Sequence, residues 1–126
     1  MTKSPTAEVE RYAAKLLFQY RVSIGSKSNT MRTCEERIII LKANTAQLAL
    51  SAAKRRGRSS EYSYKNSDGN KVCFEFIGVL DLLRLGVECE KDEVWYNIIT
   101  MMKPKERAKS ILPAEKILNA IYWSNR

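Results

Sequence analysis

Thirteen residues near the start of the chain alternate between two kinds of side chain. Even-numbered positions from Tyr12 to Ile24 are apolar or aromatic, and most of the odd-numbered positions between them are polar or small. Because successive side chains of a β-strand point to opposite faces, this period of two predicts a long strand with one buried face and one mostly wet face. Antiparallel sheets commonly leave one face in water, so the pattern predicts a fold built on an antiparallel sheet.

The composition fits a single globular domain that needs no disulfide or metal to fold. The chain has 126 residues, 44% of them hydrophobic, which is ordinary for a globular protein. It has three widely spaced cysteines and no histidine, which excludes a zinc site of four cysteines, or of two cysteines and two histidines, within one chain. Such cysteine usage is typical of a reducing compartment, and residues 1–10 have no apolar stretch typical of a secretory signal. A cytoplasmic location without membrane attachment is therefore expected.

Further segments predict the rest of the sheet and two helices. The β-branched run at 38–40 indicates a central strand over 35–42. Asn44 is a good N-cap for an alanine-rich helix over 44–56, and Gly57 suits the position just after its end. The other predicted elements are hairpin arms at 62–64 and 72–76, a helical turn over 79–85, a strand over 94–102 and a closing helix over 113–123.

This order of elements predicts an α+β fold, in which an antiparallel sheet of about five strands has two helices packed mainly on one face. The whole chain, 1–126, is expected to form one such domain. Residues 1–10 are predicted to be a frayed leader, and residues 103–126 a basic linker followed by the closing helix.

Five segments of the chain resemble a known family. They are RYAAKLLFQYRV, EERIIILKA, ANTAQLALSAAKRRG, FEFIGVLDLLRLG and EVWYNIITM, and they lie within residues 11–102. Their pattern is similar to that of a family of small bacterial domains of unknown function, seen among accessory proteins of toxin loci. The resemblance implies an immunity protein that binds and silences a toxin, and it carries over no catalytic residue. The extension 103–126 departs from the family pattern and is a candidate for a partner contact of its own.

The sequence gives little support to catalysis. Without a histidine the chain lacks the commonest general base, and histidine-dependent hydrolase sites are excluded. Glu35 and Glu36 are adjacent in a predicted strand and point to opposite faces, and the acidic run over 88–93 is typical of a solvated turn. The glycines are isolated, so the sequence has no glycine-rich phosphate loop. We therefore expect a protein that is not an enzyme and that uses no cofactor and no metal.

The net charge of +8 is unevenly distributed. Residues 1–63 carry 12 basic and 5 acidic side chains, residues 64–100 carry 4 and 7, and residues 101–126 carry 6 and 2. Two basic clusters occur. The first cluster is Lys54, Arg55, Arg56 and Arg58, and the second cluster is Lys103, Lys105, Arg107 and Lys109. Such clusters attract either an acidic protein surface or the phosphates of a nucleic acid.

Elimination favours a binding protein. We predict a non-catalytic protein-binding protein, and most concretely an immunity-type protein that blocks a bacterial toxin with an acidic surface. The predicted partner-binding residues are the two basic clusters and Trp123, which is large enough to anchor an interface. The alternative is a small basic RNA- or DNA-binding protein, in which Tyr62 and Tyr64 stack on bases beside the first cluster.

Overall fold

The structure is a computed structural model that describes residues 8–86 and 89–124. The chain forms two compact units, Met1–Tyr96 and Asn97–Arg126. Residues 1–7 of the predicted leader lie outside the described residues, as do residues 87–88, which include the first residue of the predicted acidic turn. The leader prediction also included Glu10, which is the first residue of a strand. No described helix has the length and the apolar composition needed to cross a bilayer.

The first unit is built on a five-stranded antiparallel sheet whose central strand is β1, Glu10–Ile24. One edge of β1 pairs with β5, Lys71–Leu85, and β5 in turn pairs with β4, Tyr62–Lys65. The other edge of β1 pairs with β2, Lys27–Ser28, and with β3, Cys34–Ala43. Among the described strands β3 pairs with β1 alone, so the prediction of a central strand over 35–42 is wrong. The predicted α+β class, with an antiparallel sheet of about five strands, is confirmed.

The alternation in β1 separates a well-buried face from a more open one. Leu16 and Phe18 are almost fully buried, and the ring of Phe18 stacks on the ring of Phe74 from β5 with centroids 4.7 Å apart. Helix α1, Ala46–Ser59, covers this face, and its Ala53 lies in the same buried cluster. Because alanine has a small side chain, the helix lies close enough to the sheet to exclude water from both rings.

Helix α1 begins one residue later than the sequence predicts. Its N-cap is Thr45, which has extended backbone (φ −139°, ψ 161°) and whose Oγ1 accepts a hydrogen bond from the N–H of Leu48 at 3.1 Å. Asn44, the predicted cap, instead donates from Nδ2 to the carbonyl of Glu8 at 2.9 Å. Both residue types cap helices well, so the choice between them depends on the tertiary contact that Asn44 makes.

The end of α1 also differs from the prediction. The helix continues through Gly57 to Ser59, so the prediction that Gly57 follows the helix end is wrong. Gly57 is buried against the ring of Phe76 from β5, and a Cβ added to it would overlap with that ring. The glycine therefore allows a close approach of helix and sheet instead of ending the helix.

Strand β5 runs unbroken through 79–85, so the predicted helical turn in this segment is wrong. The strand pairs with β1 from its first residue to its last, but the register shifts twice. Ile77 and Leu80 have no opposite residue on β1 at these two shifts. A bulge interrupts the alternation of side chains along a strand. Two bulges so close together produce the irregular apolar spacing that resembles a helical turn.

Residues 94–102 contain no strand, so the strand predicted there is wrong. Side chains of β1 hold the chain just before and at the start of this segment. Arg11 donates to two backbone carbonyls in the turn after β5, at 3.0 and 3.2 Å. The ammonium of Lys15 lies 4.7 Å from the ring centroid of Trp95. Alternation predicts a strand only where the backbone pairs with another strand, and Trp95 is held by a side-chain contact instead.

In the second unit a short helix, α2, Ala108–Ile111, precedes the segment in which the sequence predicts one closing helix, 113–123. From residue 113 onwards the chain instead forms a 3₁₀ turn at Glu115–Ile117 and a short helix, α3, Asn119–Ser124. Leu118 has extended backbone (φ −61°, ψ 134°) and separates the last two pieces. None of the three contains a buried residue. The segment therefore lacks the buried apolar face that usually stabilises a continuous helix.

An ion pair joins β1 and β5 on the face opposite α1. Arg21 donates from Nε and Nη2 to the two carboxylate oxygens of Glu75 at 2.8 and 2.6 Å, and Gln19 donates to the same carboxylate at 3.0 Å. The hydrogen bonds from Arg21 are the main reason that the pKa of Glu75 falls from its usual 4.5 to about 2. Glu75 therefore stays ionised in the folded chain under mildly acidic conditions.

We expect this ion pair to make the stability of the fold depend on pH in the acidic range. Because the pKa of Glu75 is lower in the folded chain, its contribution is fully present above pH 4.5 and is lost as the pH falls to about 2. Glu75→Gln should lower the free energy of unfolding at neutral pH and should change it little near pH 2. Urea titrations at both pH values measure this effect. An equal loss at both pH values would contradict the assignment. The control is Glu106→Gln, because Glu106 is exposed and has no ion pair in the described chain.

Candidate functional site

Tyrosines from two strands form a partly exposed surface on the helix-bearing side of the sheet. The register places Tyr20 of β1 and Tyr62 of β4 on either side of Phe74, so the three side chains share one face. Tyr64 follows two residues later on the same face. Tyr62 and Tyr64 are 50% and 46% exposed. We define the tyrosine face as Tyr20, Glu35, Arg37, Tyr62 and Tyr64.

The rings of the tyrosine face rest on the buried core. The ring centroids of Tyr20 and Tyr62 lie 4.9 and 5.0 Å from that of Phe74, which is fully buried. The ring of Tyr64 stacks on that of Tyr62 at 6.1 Å with 25° between the ring planes. Because each ring packs against another, the tyrosines are held in place before any partner arrives.

Glu35 and Arg37 of β3 complete the tyrosine face with two charges. The register places them opposite Phe18 and Leu16, so they lie on the helix-bearing side of the sheet. The hydroxyl of Tyr20 donates to one oxygen of Glu35 at 3.3 Å, and Nε of Arg37 donates to the other. The guanidinium of Arg37 lies 4.9 Å from the ring centroid of Phe18 and equally far from that of Phe74. The arginine is therefore held between a carboxylate and two aromatic rings.

These contacts determine the charges that the tyrosine face presents. The hydrogen bond from Arg37 is the main reason that the pKa of Glu35 lies below its usual value. A hydrogen bond with Tyr62, followed by burial, raises the pKa of Tyr20 to about 12. At neutral pH the face thus carries an ionised carboxylate and a guanidinium beside the neutral phenol of Tyr20.

The four cations of the first cluster lie on different sides of α1. Side chains advance by about 100° per residue around a helix, and the buried residues of α1 recur every four positions. Lys54 and Arg58 therefore share one flank of the helix, Arg56 lies on the other flank, and Arg55 points away from the sheet. All four side chains are exposed. A cluster that is continuous in sequence is thus divided over three sides of the folded helix.

A cleft of about 410 Å³ lies beside the flank that carries Lys54 and Arg58. It is lined by Lys54, Arg58, Glu61, Phe76, Ile77 and Gly78. The carboxylate of Glu61 accepts a hydrogen bond from the N–H of Phe76 at 2.9 Å, so a negative charge lies among the cations. Ser60 and Glu61 also connect α1 directly to β4, which places this end of the helix next to Tyr62 along the chain.

The second cluster and Trp123 belong to the unit Asn97–Arg126, whereas the first cluster belongs to Met1–Tyr96. The second cluster is exposed throughout, and Arg107 donates to the carbonyl of Met102 at 2.9 Å. Trp123 is 63% exposed and meets the ring of Tyr122 edge-on, with centroids 5.2 Å apart. The role of these residues in partner binding remains a prediction.

Three members of the tyrosine face are not identified as site residues by the sequence. Tyr20 has the parity of the buried positions of β1, which predicts a core residue. Glu35 stands out in the sequence only as one of two adjacent carboxylates, and Arg37 belongs to neither basic cluster. Their spacing of two residues does place Glu35 and Arg37 on one face of β3, which is the one signal in the sequence that pairs them.

The described residues contain no group of three or more histidine, cysteine, aspartate or glutamate side chains positioned to hold a metal ion. The three cysteines are free thiols; Cys34 is exposed, whereas Cys73 and Cys89 are half-buried.

Comparison with known proteins identifies the family. Residues 11–94 match the family model described as a domain of unknown function, DUF4288. The chain belongs to the DUF4288 family. The matched residues contain nearly all of β1 and the whole of β2, β3, α1, β4 and β5, so every member of the tyrosine face lies inside the DUF4288 domain. No curated protein and no solved structure matches the chain.

Proposed function

We propose that this DUF4288 domain is a non-catalytic protein-binding protein whose tyrosine face contacts the partner. The observation that carries the proposal is the pair of half-exposed tyrosines, Tyr62 and Tyr64, which stack on each other. Tyr62 packs against the buried ring of Phe74, and the guanidinium of Arg37 lies against the same ring. Tyrosine and arginine are enriched among the residues that dominate protein interfaces. Side chains already held by neighbouring rings lose little conformational freedom on binding, which favours affinity.

The charges on the tyrosine face favour a protein partner over a nucleic acid. The ionised Glu35 lies within the face, where it repels phosphates and accepts hydrogen bonds from cationic or neutral donors. Arg37 beside it suits an acidic group of the partner. A surface with both signs of charge matches the mixed surface of a protein better than the uniform charge of a nucleic acid backbone.

In its specific form, the proposal is that the partner is a bacterial toxin and that the chain acts as its immunity protein. The resemblance of the strand and helix segments to accessory proteins of toxin loci supports this form. Lys54, Arg55, Arg56 and Arg58 are exposed on α1 and steer an acidic toxin surface towards the domain. Binding then covers the active or substrate surface of the toxin, so inhibition is steric and electrostatic and requires no chemistry by the chain.

The proposal requires that a neighbouring gene encodes a toxin, and co-expression with the product of that gene tests this function. The wild-type chain should keep cells alive when the toxin is induced. Tyr62→Ala combined with Tyr64→Ala should abolish protection, since it removes two anchors that each contribute about 2 kcal/mol or more in typical interfaces. Tyr96→Ala is the matched control, because Tyr96 is 40% exposed but lies outside the tyrosine face. Equal killing with and without the wild-type chain would contradict the immunity function.

Nucleic-acid binding is the second candidate, favoured by the exposed cations of α1 that directly precede Tyr62 and Tyr64 along the chain. Basic side chains next to exposed aromatic rings are typical of single-strand binding surfaces. A labelled single-stranded RNA or DNA oligonucleotide tests it. A salt-sensitive shift that is lost in Arg55→Ala combined with Arg56→Ala would support this candidate. Absence of a shift at low salt would contradict it.

A further inference from the structure

The outer edge of β3 is an unpaired sheet edge. β3 pairs with β1 along one side, and no strand among residues 8–86 and 89–124 pairs with its other side. The strand Cys34–Ala43 contains no proline or glycine, and its register with β1 has no bulge. Ile38 and Ile40 on it are 46% and 38% exposed. A long, regular edge with exposed β-branched residues is a surface on which another strand readily pairs.

The pairing with β1 determines which backbone groups of β3 point outward. The N–H of Tyr20 donates to the carbonyl of Thr33, which is its opposite residue if the β1–β3 register is extended by one position. In an antiparallel ladder, hydrogen-bonded pairs alternate along the strand. The odd-numbered residues of β3 therefore bond to β1, and the even-numbered residues direct their N–H and C=O groups to the free edge.

Only a few registers allow a second β3 strand to use these outward groups. In an antiparallel pair of identical strands, even-numbered residues must lie opposite even-numbered residues. Centring the pair on Ile39 sets Ile38 opposite Ile40 and Glu36 opposite Lys42, and the two-fold symmetry repeats both pairs. Moving the centre by one position in either direction sets each of these charged residues opposite an uncharged one. One register is therefore self-complementary in both charge and apolar surface.

We propose that the chain forms a homodimer in which the β3 strands of two copies pair antiparallel about Ile39. The pairing joins two five-stranded sheets into one continuous sheet. Glu36 and Lys42, both exposed and without an ion pair in the described chain, pair across the two-fold axis. The two-fold axis is perpendicular to the sheet, so both copies of α1 lie on the same side. Tyr20, Tyr62 and Tyr64 lie on other strands, whereas Glu35 and Arg37 of the tyrosine face lie on the paired strand itself.

Sedimentation velocity of the full chain over a range of concentrations tests the dimer. The wild-type chain should dimerise with a dissociation constant on the order of micromolar, as expected for a small interface. Glu36→Lys and Lys42→Glu should each weaken the dimer about tenfold. Each substitution places like charges at positions 36 and 42, and the dimer contains this pair twice. The two substitutions combined should restore the dimer. A wild-type chain that stays monomeric, or a dimer that the single substitutions leave unchanged, would overturn the proposal, as would a combined variant that fails to recover.

A second variant tests the backbone pairing directly. The N–H of Ile38 points to the free edge, so Ile38→Pro removes an intermolecular hydrogen bond without taking one from the β1–β3 ladder. We expect a monomeric chain with a cooperative thermal unfolding transition. Tyr62→Ala is the matched control and should dimerise like the wild type. Persistence of the dimer in folded Ile38→Pro would overturn the assignment to this edge.

Discussion

Phe18→Ala is expected to lower the free energy of unfolding by about 3–5 kcal/mol. The side chain of Phe18 is fully buried, and its ring stacks on Phe74 at 4.7 Å and tilts against Phe76 at 5.6 Å. The substitution leaves a cavity between the sheet and α1 and removes one of the two rings beneath the guanidinium of Arg37. This loss is a large share of the stability of a typical domain of this size.

Urea unfolding followed by circular dichroism measures this loss. Ile24→Ala is the matched control, because Ile24 lies on the same strand but is 60% exposed. The control should change the free energy of unfolding by about 0.5 kcal/mol or less. If both substitutions cost the same, the core does not lie between β1 and α1 as described.

Gly57→Ala is expected to destabilise the fold by about 1–3 kcal/mol, although alanine is the better helix former. The added Cβ would overlap with the ring of Phe76, so this ring must shift from its packed position against Phe18. Helix propensity alone predicts the opposite sign, a gain of about 1 kcal/mol. The direction of the change therefore distinguishes a glycine needed for close packing from a glycine that merely weakens a helix.

A double-mutant cycle with Phe76→Ala tests the cause of that loss. In the background of Phe76→Ala the ring is absent, so Gly57→Ala should become neutral or stabilising. Thermal and urea unfolding of the four proteins measure the coupling between the two positions. A destabilising effect of Gly57→Ala that is the same in both backgrounds would contradict the role given to the ring.

The parts of the fold that sequence predicts are those governed by local patterns. β1 follows from its alternation because one period persists along nearly its whole length. β5 could not be predicted in this way, because two bulges occur where it pairs with β1 and they interrupt its alternation. The segment 94–102 alternates as well as a strand does, yet it forms no strand, and its Trp95 contacts the side chain of Lys15. In β5 and in the segment 94–102 the backbone structure therefore depends on contacts between residues distant in sequence, not on the local pattern.

The candidate site could be predicted only in part for the same reason. Tyr62 and Tyr64 alternate within one short segment, so their shared face is visible in the sequence. Tyr20 and Glu35 meet them through the pairing of different strands, which depends on the register of the folded sheet. The cations of the first cluster are adjacent in sequence, but the helical period divides them over three sides of α1.

The affinity of the purified chain for the product of its neighbouring gene, which the proposal requires to be a toxin, tests the central claim most directly. Isothermal titration should show tight binding by the wild-type chain and by Tyr96→Ala. Tyr62→Ala combined with Tyr64→Ala should bind about 100-fold more weakly or worse, while its unfolding transition shows that it is still folded. Equal dissociation constants for all three proteins, or no binding by the wild-type chain, would contradict the claim that the tyrosine face binds the partner.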